Sequence, residues 1–259
     1  LSKIDKRNEY ILFLRSIYEV GPRKSRKLPE NWNLKEVNIR WHTLKEQLQF
    51  PSILNKENLD LVHFPYFSVP ILYNRPFVVT IHDLILHHYP TGEASTLSFP
   101  FYQTKLLGYR FVISQAAKRA KKVIAVSNAT KDEIIDHLGI GSEKIAITYE
   151  GVDHEILNKP KNTKYKILNT KYFLYVGNAY PHKNLDRLLE ALNILISQYS
   201  NISLVLVGKE DYFYKRSKEK VKKMGLTKRV MFYGEASDEE LGALYRGAKA
   251  TVIPSLMEG

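Results

Sequence analysis

The segment YVGNAYPHKNLDRLLEA, residues 175–191, ends an apolar run at Gly177 and then sets His182, Lys183 and Asn184 ahead of a helical pattern. A helix N-terminus offers unpaired backbone N–H groups and a partial positive charge. With a full lysine charge beside it, such a place suits a phosphate or diphosphate. The same spacing is met by a solvated Lys183 and an Asn184 that does no more than cap the helix. A second group is His82–Asp83, directly after the apolar run FVVTI (77–81). A histidine at a strand's carboxyl end can hydrogen-bond a substrate hydroxyl, or it can be a structural residue held by Asp83.

Several other chemistries lack their residues. The chain has no cysteine, which excludes disulfides and thiolate nucleophiles and fits a reducing compartment. There is no His-Glu-x-x-His, so no metal site is expected, and His87 and His88 read as a structural pair. The G-x-S-x-G cue for a serine nucleophile is missing. GIGSEK (139–144) is glycine-containing but follows a helical pattern, which makes it a turn.

These residues need elements to hold them. Strands are predicted at EYILFL (9–14), EVNIR (36–40), DLVHF (60–64), FVVTI (77–81), KVIAV (122–126) and KIAIT (144–148). A second set is YFLYV (172–176), SLVLV (203–207), RVMFY (229–233) and ATVIP (250–254). Several are unbroken apolar runs, the pattern of strands buried on both faces of a parallel sheet. Between them, Leu185, Leu188, Leu189, Leu192 and Ile196 form one helical stripe, and Leu241, Leu244, Tyr245 and Ala248 another. Ser237 and Glu240 make a capping box, and Thr130 with Glu133 repeats that spacing, with Gly139 closing the helix. Strand alternating with helix predicts an α/β fold. Residues 153–170 are polar and aperiodic and read as a connection. The expected organisation is a domain over 1–155, a connection over 156–170 and a domain over 171–259.

In an open parallel sheet, ligands bind at the carboxyl ends of the strands. The positions there include His63, His82–Asp83, Ser127–Asn128, Glu150–Gly151, Gly177–Asn178, Gly208–Lys209, Gly234–Glu235 and 255–259. Gly177, Gly208 and Gly234 fall in register on one rim, where glycine permits tight turns and close approach.

Lysine and arginine number 39 against 27 acidic residues, a net charge of +12. Such a balance favours anionic partners, whether phosphorylated ligands, acidic lipid or nucleic acid, or reflects a solvated surface. The clusters GPRKSRK (21–27), AKRAKK (117–122) and KRSKEKVKK (215–223) are not interleaved with aromatics, and no helix-turn-helix or zinc-finger spacing occurs, so nucleic acid is not expected. No run approaches the roughly 18 apolar residues of a membrane span. The start, LSKIDKRNEY, has no signal-peptide pattern. A cytoplasmic location is expected, with peripheral visits to an anionic membrane through the basic segments.

The segments DLVHFPYFSVP, VVTIHDLILHHYP, VIAVSNATKDEI, EGVD, YVGNAYPHKNLDRLLEA, VLVG, RVMFYGEASDEELGALYRGA and IPSLMEG, in that order, resemble the retaining glycosyltransferases of family 4. The resemblance implies a GT-B fold, with two Rossmann-like domains facing across a cleft, the C-terminal one holding a nucleotide-sugar donor and the N-terminal one most of the acceptor. Lys183 corresponds to the lysine that neutralises the donor diphosphate. Glu258 corresponds to the first of two glutamates that touch the donor sugar, and His82 to the histidine near the transferred sugar. The segment around Gly234 and Ala236 would meet the nucleobase. Gly177, Asn178, Gly208, Lys209, Ser255 and Gly259 complete the implied donor set, and Asp83 and Ser127 stand with His82 on the acceptor side. Asn178 replaces an arginine common in the family, so one diphosphate charge partner is either missing or supplied by Lys209. By the same comparison both domains are expected to be incomplete, lacking the first strand with its glycine-rich loop and the second glutamate.

The implied reaction is metal-independent transfer with retention, in cell-surface polysaccharide synthesis. The nucleotide-sugar is the substrate, with no cofactor. GDP-mannose is the favoured donor, a UDP-sugar the other, and the acceptor is a glycan or lipid-linked glycan. The alternatives are a GT-B sugar-nucleotide epimerase and a basic non-enzymatic protein binding nucleic acid or membrane.

Overall fold

A strand with helices on both faces can be apolar at every position, and β8 shows this directly. In the computed structural model, which describes residues 4–16, 28–90, 98–151, 171–199 and 201–259, Leu204 and Leu206 enter one core cluster and Val205 and Val207 another. The described elements run β1 (Tyr10–Leu14), β2 (Trp32–Glu36), α1 (Leu44–Lys56), β3 (Val62–Phe64), β4 (Phe77–Ile81), α2 (Ile85–His88), α3 (Phe99–Arg119), β5 (Lys122–Ala125), α4 (Asn128–Leu138), β6 (Ile145–Ile147), β7 (Lys171–Val176), α5 (Leu185–Gln198), β8 (Ile202–Val207), α6 (Tyr212–Lys223), β9 (Val230–Gly234), α7 (Asp238–Gly247) and β10 (Ala250–Thr251). The pairings are parallel throughout. The chain divides into two units, Leu1–His82 with Leu107–Ile147, and Asp83–Leu106 with Thr148–Gly259. The expected connection over 156–170 lies outside the described residues.

The first unit holds the sheet β3-β4-β5-β6 and the separate pair β1-β2. Val79, Val123 and Ala125 are fully buried in the sheet. Tyr10 stacks on Trp32 at 4.4 Å and sets the register of β1 against β2. That pairing explains a correction. EVNIR was expected as a strand, yet the ladder covers Trp32–Glu36 and ends where β1 ends. Val37 N makes the last bond, to Leu14 O at 2.7 Å, and Val37 and Ile39 are buried past the paired residues, so the period-two signal marked burial that continues where the ladder stops. The helix after β5 is capped by Ser127, whose Oγ accepts from Thr130 N at 3.0 Å. Thr130 therefore lies inside α4, and the expected Thr130–Glu133 capping box does not form. Gly139 does close the helix, in the left-handed region at φ 63°. Helices α1 and α3 had no counterpart in the sequence reading. Pro51 inside α1 and the apolar residues scattered around α3 mask their periodicity.

The second unit holds the sheet β10-β7-β8-β9. Leu185, Leu189 and Leu192 of α5 and Phe213, Tyr214 and Val221 of α6 pack on one face with Tyr175, Leu204 and Leu206. Leu244 of α7 packs on the other with Tyr172, Leu174, Val205 and Val207. The Ser237–Glu240 capping box is present. The strand expected over 250–254 is shorter. Val252 N still reaches Leu174 O at 2.8 Å, but Pro254 has no N–H to extend the ladder.

Beyond the sheet the strand ends are laced together. Gly177 N donates to Val207 O and Gly208 N to Gly234 O, each at 2.9 Å. A Cβ at Gly208 would lie 2.1 Å from Gly177 O and 2.5 Å from Tyr214 Oη, so only glycine fits without a backbone shift. Gly208→Ala is expected to cost about 2–3 kcal/mol, the upper range for overpacking. Gly108→Ala, in α3 with nothing within 4 Å of the added carbon, is expected to be neutral or to gain up to about 1 kcal/mol. Denaturant unfolding of both variants reads the contrast, and equal stability of the two would refute the close-approach account.

Candidate functional site

The rim of the second unit gathers most of the expected donor residues. Val176 ends β7, and Gly177 and Asn178 begin a loop that closes in a 3-10 turn, Pro181–Lys183. Asn184 then enters the left-handed region at φ 58° and α5 begins. Asn184 was expected as a capping residue at most, but its side chain makes no cap. Its Nδ2 donates instead to Pro254 O at 3.1 Å, and Leu256 N donates to His182 O at 2.8 Å. Two hydrogen bonds thus tie the segment after β10 to the loop after β7.

The consequence is an ion pair. Lys183 Nζ donates to both carboxylate oxygens of Glu258 at 2.7 Å. The side chains are 18% and 47% exposed, so the pair is open to solvent on the glutamate side. Burial pushes the Glu258 carboxyl up, but the Lys183 hydrogen bonds and charge outweigh it and hold the group below its ordinary range. His182 is buried, and burial followed by the Lys183 charge lowers its pKa, which keeps the imidazole neutral beside the lysine.

Two buried tyrosines stand under the loop. Tyr175 Oη donates to Asn178 O at 2.5 Å, and Tyr214 Oη donates to Gly177 O at 2.7 Å. Among the other expected residues, Lys209, Asn178 and Gly259 are exposed, and Ser255 is half-buried. Ala236 packs against the Tyr172–Leu244 cluster, at the edge of the rim rather than out in solvent. A cavity of about 630 Å³ between α5 and α6, lined by Tyr180, Asn184, Phe213, Arg216, Lys220 and Lys223 among others, includes neither Lys183 nor Glu258. It is separate from the Lys183–Glu258 pair on the rim.

In the first unit, His82 follows β4, and its Nε2 donates to Pro65 O at 2.9 Å. The carbonyl of His82 accepts from Thr130 Oγ1 at 3.1 Å, and Thr130 also meets Ser127 Oγ at 3.0 Å. Ser127 is therefore engaged as a helix cap, and α4's first turn fixes the backbone of His82. Asp83, the first residue of the second unit's Asp83–Leu106 segment, accepts at Oδ1 from Ile85 N at 3.1 Å and opens α2.

The basic segments divide. GPRKSRK (21–27) lies outside the described residues. Within 117–122, Arg119 binds the carbonyls of Ile71 and Tyr73, and Lys122 Nζ donates to Glu143 O at 2.7 Å. Half of that cluster's cations are structural, which leaves Lys118 and Lys121 exposed.

Sequence reasoning missed Tyr175, Tyr214, His182 and Thr130. The tyrosines sit at core positions where only the apolar ring counts toward periodicity, and Thr130 was read as a cap. His182 was visible in PHKN, but nothing local marked it as buried.

An α/β chain with parallel sheets and a cation at the carboxyl end of a strand has the features of a GT-B nucleotide-sugar protein. Comparison with known proteins makes the assignment. Residues 17–156 match the model of Glycosyltransferase Family 4, and residues 158–259 that of glycosyl transferases group 1. The chain belongs to Glycosyltransferase Family 4. The O-antigen chain mannosyltransferase RfbU of Salmonella typhimurium is 29% identical over 219 residues, covering 85% of this chain and 56% of that protein. A UDP-Gal:alpha-D-GlcNAc-diphosphoundecaprenol alpha-1,3-galactosyltransferase of Escherichia coli is 26% identical over 230 residues, covering 83% and 57%. The chain thus spans about half the length of the curated relatives it matches. Sucrose-phosphate synthase of Thermosynechococcus elongatus superposes with a TM-score of 0.70 at 19% identity, covering 96% of this chain and 66% of that one. That likeness is one of fold, and the fold is GT-B.

Proposed function

We propose that the protein is a retaining glycosyltransferase that moves a sugar from a nucleotide-sugar to a glycan or lipid-linked glycan in cell-surface polysaccharide synthesis. The observation that carries the reading is Lys183, fixed at the carboxyl end of β7 ahead of α5, with a carboxylate as its present counter-ion. An incoming diphosphate offers that lysine the same charge in a bidentate form. Transfer breaks the bond from the anomeric carbon to the diphosphate oxygen and forms one to the acceptor hydroxyl, whose proton passes to the departing diphosphate oxygen. Lys183 and nearby backbone N–H groups would stabilise the departing charge, with Glu258 released to the donor sugar's hydroxyls. His82, in the first unit, would act on the transferred sugar, with Asp83 and Ser127 near the acceptor. No cofactor enters this scheme. Family membership supports the retaining course. The mannosyltransferase relative favours GDP-mannose, and the UDP-Gal enzyme keeps UDP-sugars as the second choice. Both relatives are transferases, which favours transfer over epimerisation.

An anionic membrane is the partner surface that fits such acceptors. Among the described residues, no helix is long and apolar enough to cross a membrane. On α3, Leu107, Phe111 and Lys118 recur at helical spacing and are exposed, with Phe99, Phe101, Lys105 and Arg110 also exposed along the same helix. Exposed aromatics among cations are the composition of an interfacial helix. The diphosphoundecaprenol in the galactosyltransferase's name places that enzyme's acceptor on a lipid.

Three measurements test the proposal. Lys183→Ala should weaken GDP or UDP binding by about 1.5–3 kcal/mol, the range for hydrogen bonds to charged groups, whereas His82→Ala should lower kcat with nucleotide affinity nearly intact. Unchanged calorimetric affinity in Lys183→Ala would sink the assignment. In vesicle sedimentation, binding should require acidic lipid, reverse with salt and weaken in Leu107→Ser/Phe111→Ser. Equal binding to neutral vesicles would reject the electrostatic part.

A further inference from the structure

We infer that Tyr175 and Tyr214 are positioning residues for the donor loop: their hydroxyls hold the Asn178 and Gly177 carbonyl oxygens and so aim two free peptide N–H groups outward for a phosphate. The inference rests on the nucleotide-sugar reading above and deepens it by assigning the backbone part of the site.

The geometry is direct. Tyr175 lies on β7 at 3% exposure and Tyr214 in the first turn of α6 at 2%, both within the same core cluster. A phenylalanine would fill either space, so the hydroxyls answer a need other than packing. A buried hydroxyl is costly unless it is paired, and both are paired with the loop, at 2.5 and 2.7 Å. Burial, the largest cause for each, pushes both phenols well above the ordinary tyrosine range, helped by the Glu258 charge for Tyr175 and by Tyr175 and Asp211 for Tyr214. Both hydroxyls therefore remain donors at any working pH. Asp211 fixes Tyr214 further, its Oδ1 accepting from Phe213 N at 2.9 Å and Tyr214 N at 3.0 Å.

In a trans peptide the C=O of one residue and the N–H of the next point in opposite directions, and the chain has no cis bond among the described residues. With Gly177 O turned to Tyr214 and Asn178 O turned to Tyr175, the N–H groups of Asn178 and Ala179 point away from the tyrosines. Neither N–H has a hydrogen-bond partner among the described residues, whereas Gly177 N is engaged with Val207 O and Tyr180 N with Asn178 Oδ1. Two adjacent, unengaged N–H groups five and four residues ahead of Lys183 offer an anion two donors. Gly208 completes the device, because a side chain there would part Tyr214 Oη from Gly177 O.

The test compares Tyr175→Phe, Tyr214→Phe and the double variant with the parent protein. Three readouts are used: thermal unfolding, amide hydrogen exchange without ligand, and calorimetric affinity for GDP and UDP. The expected result is an unfolding temperature within a few degrees of the parent, with faster exchange confined to residues 177–183. The dissociation constant for the preferred nucleotide should rise about fivefold per lost hydroxyl, the effect of one typical hydrogen bond. Unchanged loop exchange would overturn the clamp, as would exchange rising equally across β7 and β8. Faster loop exchange with unchanged affinity would overturn its role in binding. If the parent protein bound neither nucleotide, the nucleotide-sugar reading would fall and the binding role with it, while loop exchange would still report whether the hydroxyls hold the loop.

Discussion

The second unit depends on how closely two backbone turns approach each other. At Gly208 the chain comes so near Gly177 O that no side chain fits between them, and Gly177 N and Gly208 N extend the sheet's hydrogen bonding past the strands. That lacing fixes where the loop after β7 leaves the sheet. Leu256 N and Asn184 Nδ2 then fasten the segment after β10 to the same loop. Lys183 and Glu258, 75 residues apart in the chain, meet because these hydrogen bonds bring their two segments together.

The ion pair that results is a poor candidate for a stabilising device. Glu258 is nearly half exposed, and exposed pairs contribute about 0–1 kcal/mol at most. What the pair does is hold the lysine in one orientation, and on the proposed reading the carboxylate stands in for a diphosphate. The neutral, buried His182 beside it adds no competing charge. Groups held before a ligand arrives avoid reorganisation during a reaction, and in the proposal the tyrosine hydroxyls under the loop serve the same end for the backbone.

Much of the fold was legible because it follows from local rules. The unbroken run SLVLV announced a strand covered on both faces, and the clusters on either side of β8 show why. The Ser237–Glu240 box needed only a spacing. Lys183 could be singled out because the cue, a cation between strand end and helix start, is local as well. Its partner could be placed only through family resemblance, since pairing across 75 residues is tertiary. The tyrosines were invisible for a different reason: at core positions the hydrophobic pattern registers the ring and ignores the oxygen. Capping failed where two spacings competed, with Ser127 taking the role read for Thr130, and EVNIR failed because burial alternates where no ladder runs.

The central claim is that Lys183 is the diphosphate cation and that Glu258 occupies its place when no nucleotide is bound. Calorimetric titration of a sugar-free nucleoside diphosphate into Glu258→Gln tests it most directly, because the sugar contacts expected of Glu258 are then absent. A neutral amide competes less for the lysine, so the account predicts tighter binding than in the parent protein. A loss of affinity comparable to removal of the lysine charge would contradict it and make the carboxylate part of the diphosphate site itself.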